Sequence, residues 1–117
     1  MPLPKDALLL RIFVGETAKV GHSPIYEALV MKAREMHLAG ATVLRGPLGY
    51  GHSSRIHTAK ILRLSEDLPV VVEIVDSEER ISAFLPHVEE MMEGHGLVTL
   101  EKVQVLQYGP IQHGRGG

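Results

Sequence analysis

Three glycines, Gly46, Gly49 and Gly51, stand close together beside polar side chains. Without a Cβ, glycine lets backbone amides approach an anion and form a nest of N–H donors. Arg45 precedes the first of them, and Tyr50, His52, Ser53, Arg55 and His57 surround or follow the others. Arginine grips phosphate or carboxylate in a bidentate fork, and histidine stacks or hydrogen-bonds. The set points to an anionic ligand, with Arg45 reaching it from a strand end. A second reading fits the same residues. The glycines suit a hairpin or bulge that needs positive φ, and Arg55, His57 and Arg63 suit a solvated arm paired to Glu66 and Asp67. The spacing is neither a Walker A loop nor a dinucleotide fingerprint.

Other chemistries find less support. Of seven histidines, only His52 and His57 share a segment, and neither H-x-x-x-H nor H-E-x-x-H occurs, so no metal ligand is assigned. The carboxylate pairs Glu66-Asp67, Glu78-Glu79 and Glu89-Glu90 are adjacent in sequence, and on a helix neighbours diverge by about 100° rather than converging on one atom. Ser53-Ser54 lacks the context of a nucleophile elbow. No residue is assigned a catalytic role, and the expectation is a protein that is not an enzyme.

Positioning such a site requires a scaffold, and 117 residues with 44% hydrophobic and 22% charged side chains are enough for one globular domain. The net charge of −2 argues against a dedicated nucleic-acid binder, which needs a basic excess. Absence of cysteine removes disulfides, thiolate zinc sites and cysteine nucleophiles. The most apolar stretch, Ala7 to Val14, is too short to span a bilayer and contains Arg11. A cytoplasmic protein without direct membrane insertion is expected.

Ala7 to Val14 reads as a central strand covered on both faces. Ser23 as N-cap and Pro24 at the first helical position predict a helix with Ile25, Leu29, Ala33 and Met36 on one stripe, stopped by Gly40 in a left-handed conformation. Ala41 to Leu44 reads as a strand. From His52 to Asp67 the pattern fits either a strand at Ala59 to Leu64 or a helical turn marked by Ile56, Ala59 and Leu62 or Arg63, and the reading adopted is an extended hairpin arm over about residues 50–68. Pro69 to Val75 is the second strongly apolar strand. Asp76, with Glu79 at capping-box spacing, predicts a second helix with Ile81, Phe84, Leu85, Val88 and Met91 inward and a bend at Pro86. The last strand is placed at Lys102 to Tyr108, and residues 109–117 form a flexible tail after a single domain over 1–108.

Strand–helix–strand occurs twice. Two such units make an α+β, ferredoxin-like βαββαβ sandwich, a four-stranded antiparallel sheet with both helices on one face. Leu8, Leu10, Val70 and Val72 are expected not to fit all on the helix side, leaving an apolar patch that calls for oligomerisation.

Three stretches, Ala39 to Gly46, Gly49 to Thr58 and Leu64 to Asp76, resemble a family of small PII-like proteins long catalogued as a domain of unknown function, within the nitrogen-regulatory PII superfamily. The resemblance covers about residues 7 to 108. It implies a homotrimer with clefts between subunits, where signalling PII proteins bind adenine nucleotides and often 2-oxoglutarate. Gly40-Ala-Thr-Val43 is similar to the glycine-x-threonine-valine of that superfamily, which makes Thr42 the adenine-side hydroxyl. Gly49-Tyr-Gly51 is similar to the root of its T-loop, with one extra residue before it, and His52 to Leu68 stands where the T-loop would be. The phosphate-binding B-loop has no match beyond Gly94-His-Gly96. The resemblance thus implies AMP, ADP or a cyclic nucleotide rather than ATP, no required cofactor, and a membrane transporter or channel partner met through residues 50–68. An alternative it also implies is a metal- or ion-linked regulatory module, similar to copper-tolerance trimers or acting with an ion channel.

Overall fold

The computed structural model describes residues 3–46 and 68–109. Most of the expected arm and nearly all of the expected tail lie outside the described residues. The elements are β1 (Asp6–Gly15), β2 (Lys19–Val20), β3 (Ser23–Pro24), α1 (Ile25–Glu35), β4 (Thr42–Arg45), β5 (Pro69–Asp76), α2 (Glu78–Met92) and β6 (Leu97–Gln104). Four strands form one antiparallel sheet in the order β4-β5-β1-β6, and β2 and β3 make a separate small hairpin. This is the expected ferredoxin-like arrangement, with the two most apolar strands at its centre.

Alternation sorts each central strand into two faces. On β1, Leu10, Ile12 and Val14 are buried and Leu8 packs against them; on β5, Val70, Val72 and Ile74 are buried. These meet Ile25, Leu29 and Ala33 of α1 and Ile81, Phe84, Val88 and Met92 of α2 in a single core. Each fully buried aliphatic or aromatic side chain contributes about 1.5–3 kcal/mol. Leu8, Leu10, Val70 and Val72 therefore do share the helix side, contrary to expectation. The apolar surplus lies instead on the opposite face, in Leu9, Phe13, Val71 and Val75, and on β6.

The last strand is Leu97–Gln104, not Lys102 to Tyr108. Its apolar residues fall on both faces because β6 is an edge strand lying mostly beyond the helices, with Leu97 56% exposed and Leu100 47%. Periodicity carries no signal where neither face is covered.

Helix ends also differ from expectation. Ser23 does not cap α1: it pairs with Val20, and Pro24 occupies the cap with φ −58° and ψ 140° and no side-chain hydrogen bond. α1 stops before Gly40. The Leu38 N–H donates to Ala33 O and the His37 N–H to Arg34 O, a Schellman closure with His37 at φ 61°. A non-glycine residue there costs about 1–2 kcal/mol. Ser77, not Asp76, caps α2 by accepting from the Arg80 N–H, and the helix runs uninterrupted through the exposed Pro86.

Gly96 opens β6 at φ +77°, and a Cβ there would lie 2.4 Å from the Phe13 carbonyl oxygen. Gly94 has a similar φ of +81° but open space around it. Gly96→Ala is expected to cost about 2–3 kcal/mol or more, and Gly94→Ala about 1 kcal/mol. Denaturant unfolding of the two variants checks this; equal midpoints would overturn the assigned close approach.

Candidate ligand-binding site

Three of the expected site residues, Thr42, Arg45 and Gly46, belong to β4 and its exit. Gly49, Tyr50, Gly51, His52, Ser53, Arg55 and His57 lie outside the described residues. β4 is a sheet edge, joined to β5 by the pairs Thr42↔Glu73, Val43↔Val72, Leu44↔Val71 and Arg45↔Val70. Alternation then sends neighbouring residues to opposite faces. Val43 and Arg45 share the helix side with Val72 and Val70; Thr42 and Leu44 share the open side.

Thr42 is exposed and begins a polar row across the open face. Register continues the row from Thr42 to Glu73, Arg11 and Thr99. Arg11 Nε donates to Glu73 Oε2 at 2.9 Å and Nη1 to Glu101 Oε1 at 3.1 Å, which ties three strands together. The hydrogen bond to Glu73, then the charges of Glu73 and Glu101, hold the Arg11 guanidinium even more firmly in its charged form. Leu44, Val71, Phe13 and Leu97 make a parallel apolar row beside it.

Arg45, on the other side, turns toward the loop after β1. Its Nε donates to Glu16 Oε2 at 2.8 Å, and its Nη2 donates to the Tyr26 hydroxyl at 3.1 Å. The guanidinium also lies over the Tyr26 ring, 5.6 Å from its centre. Hydrogen bonding to Glu16, then the Glu16 charge, raises the Arg45 pKa above its ordinary value, so this side chain is a cation at any working pH. Gly46 is fixed through its N–H to Pro69 O at 2.8 Å, and the Glu16 N–H donates to Leu68 O at 2.9 Å. Gly46 and Leu68 are thus pinned to the same corner of the sheet.

At the opposite end of the sheet, an open cavity of about 500 Å³ is lined by residues that include Leu3, His37, Asp76, Arg80 and Tyr108. Asp76 is only 1% exposed. It accepts from the Ala39 N–H at 2.8 Å and the Ser77 N–H at 2.7 Å, and Arg80 Nε lies 3.4 Å away. Arg80 also donates to the His37 and Met36 carbonyls, and the Tyr108 hydroxyl to Ala39 O. This network closes the end of α1 onto the start of α2. Sequence reasoning reads Asp76 as a helix cap and misses the lock, since its partner Ala39 is distant in sequence and donates through backbone.

Among the described residues no three histidine, cysteine or acidic side chains gather to hold a metal ion. Nor, among them, is any helix long and apolar enough to cross a membrane.

A four-stranded antiparallel sheet backed by two helices, with a long β4–β5 connection, is the PII-like form of the ferredoxin fold. Solved structures agree. CPII from Thiomonas intermedia K12, bound to ADP, AMP and acetate, superposes with a TM-score of 0.61 over 92% of this chain and 94% of its own, at 18% identity. A putative PII-like signalling protein from Thermus thermophilus gives 0.57 over 90% and 93%, at 20% identity. The chain belongs to the DUF190 family, described as "Uncharacterized ACR, COG1993", whose model matches residues 7–105. A UPF0166 protein of Aquifex aeolicus (strain VF5) is 46% identical over 84% of this chain and 91% of its own length. Another, from Methanocaldococcus jannaschii, is 33% identical over 85% and 91%.

Asp76→Ala removes the acceptor of two N–H groups and the partner of Arg80. It is expected to cost about 3 kcal/mol, and Arg80→Ala less because that side chain is partly solvated. Chemical denaturation checks both, and Asp76→Ala within about 0.5 kcal/mol of the parent, the size of a neutral surface change, would refute the lock.

Proposed function

We propose that this protein is a PII-like regulatory protein, not an enzyme, that binds an adenine nucleotide (AMP, ADP or a cyclic form) in clefts between copies of itself and needs no further cofactor. The observation that carries the reading is the fold match over nearly the whole chain to CPII, itself bound to ADP and AMP. Thr42 serves the adenine side. Arg45, Gly46, Gly49, Tyr50, Gly51, His52, Ser53, Arg55 and His57 serve the phosphate side, where guanidinium forks and glycine amides suit an anion. The copies associate as a homotrimer through the open sheet face, whose apolar row includes Leu44, 48% exposed, and Leu97. Residues 50–68 contact the partner, a membrane transporter or channel. Binding becomes a signal only if the ligand favours one state of the protein over another.

Calorimetry with AMP, ADP, ATP and cyclic AMP tests the reading. Heat and a melting shift are expected with at least one of them, and silence from all four would overturn it. Thr42→Val should weaken binding about fivefold, the worth of one hydrogen bond. Gly51→Val and Arg55→Ala should weaken it about tenfold while sedimentation still reports a trimer. A stable, folded monomer at micromolar concentration would refute the assembly.

A further inference from the structure

Arg45 is ion-paired within its own chain. Nη2 lies 2.7 Å from Glu16 Oε2, the oxygen that Nε also reaches. Together these donors form one complete edge of the guanidinium, an edge with which arginine grips a phosphate side-on. The Glu16 main chain, from which the carboxylate extends, is tied by its N–H donating to Leu68 O. Its side chain is 26% exposed against 47% for Arg45, so the pair faces solvent from the arginine side. Tyr26 supports the guanidinium by ring and hydroxyl, contacts that do not depend on the Glu16 charge.

We infer that Glu16 is an affinity- and specificity-determining residue: a built-in counter-ion that a nucleotide phosphate must replace on Arg45. The inference rests on the reading of Arg45 as a phosphate contact. Its physical basis is competition between a tethered anion and a free one. A carboxylate attached to the same fold acts at a high effective concentration. A free carboxylate, which carries the same single charge and similar geometry, gains nothing by replacing it. A phosphate group carries more charge and more acceptor oxygens, so it has a net advantage on the same fork. Glu16 thereby excludes simple carboxylate monoanions from Arg45 and lowers the affinity for phosphate to a level that concentration can regulate. Exposed ion pairs are weak enough to exchange, and this one is at the solvent-facing edge of the sheet.

The test is calorimetry of the full chain with ADP and with adenosine, at one fixed salt concentration. Glu16→Gln should bind ADP about three- to tenfold more tightly, the range of a partly exposed ion pair, and adenosine unchanged. In an Arg45→Ala background the same substitution should make no difference to ADP. Glu16→Met, neutral and of similar length, provides the same comparison if the glutamine variant melts early. Weaker or unchanged ADP binding by both neutral variants, with Arg45→Ala impaired, would overturn the role of Glu16 and leave the nucleotide reading standing. No ADP binding by the parent chain, or parent-like binding by Arg45→Ala, would overturn the nucleotide site or the place of Arg45 in it.

Discussion

Everything else in this molecule depends on the burial of one face of two adjacent strands. Leu10, Ile12, Val70, Val72 and Ile74 are essentially without solvent contact under the two helices. Because successive side chains on a strand point to opposite faces, that burial fixes the register of β1 against β5 and forbids a one-residue slip. Fixing it also fixes the other face. Arg11 must stand opposite Glu73, and Thr42 must stand beside it on β4. The register of the polar row is therefore a by-product of core packing. Its ion pairs span strands rather than turns, so they stiffen the sheet where helices do not cover it.

The two ends of the sheet are closed by different means. At one end a nearly fully buried carboxylate, Asp76, gathers backbone donors from Ala39 and Ser77 and the guanidinium of Arg80. Burying a charge is tolerable only when it is paired and hydrogen-bonded, a condition met here by three groups. The benefit extends to His37, whose left-handed conformation is unfavourable alone and whose carbonyl accepts from Arg80. At the other end the ties are lighter: main-chain bonds from Gly46 and Glu16 and a half-exposed ion pair. A buried lock stands at one end and a half-exposed pair at the other, the arrangement expected if ligand chemistry occupies the second.

Strong periodicity makes the central architecture legible in the sequence. The stripe of Ile25, Leu29, Ala33 and Met36, and that of Ile81, Phe84 and Val88, face the core as their spacing implies. What misleads is the near-continuous run on β1 and β5. Apolar residues on both faces hide the alternation, so nothing in the run shows that Leu8, Leu10, Val70 and Val72 share one side. Helix ends are less legible for a related reason. Ser23, Asp76 and Gly40 are each suitable end residues, but pairing with Val20, capture of Ala39 and the earlier Schellman turn at His37 decide the outcome. Those are tertiary contacts, and local propensity does not contain them. Of the site, the types of Thr42 and Arg45 are readable; that they point to opposite faces is not, since it follows only from the placement of β4.

That opposition has a geometric consequence for any ligand that touches both residues. Thr42 faces the open side and Arg45 the helix side, and they lie on a strand whose outer edge has no partner strand among the described residues. A ligand reaching both must lie along that edge, where one chain offers a rim rather than a cleft. Small-molecule sites are concave and bury most of the ligand, so a second wall is required. The open face beside Thr42, with its apolar row and exposed Leu44, is the surface on which another copy would bring such a wall into position. On the proposed reading, assembly and ligand binding are one requirement: a contact that covered the apolar row would also complete the edge of β4 as a cleft.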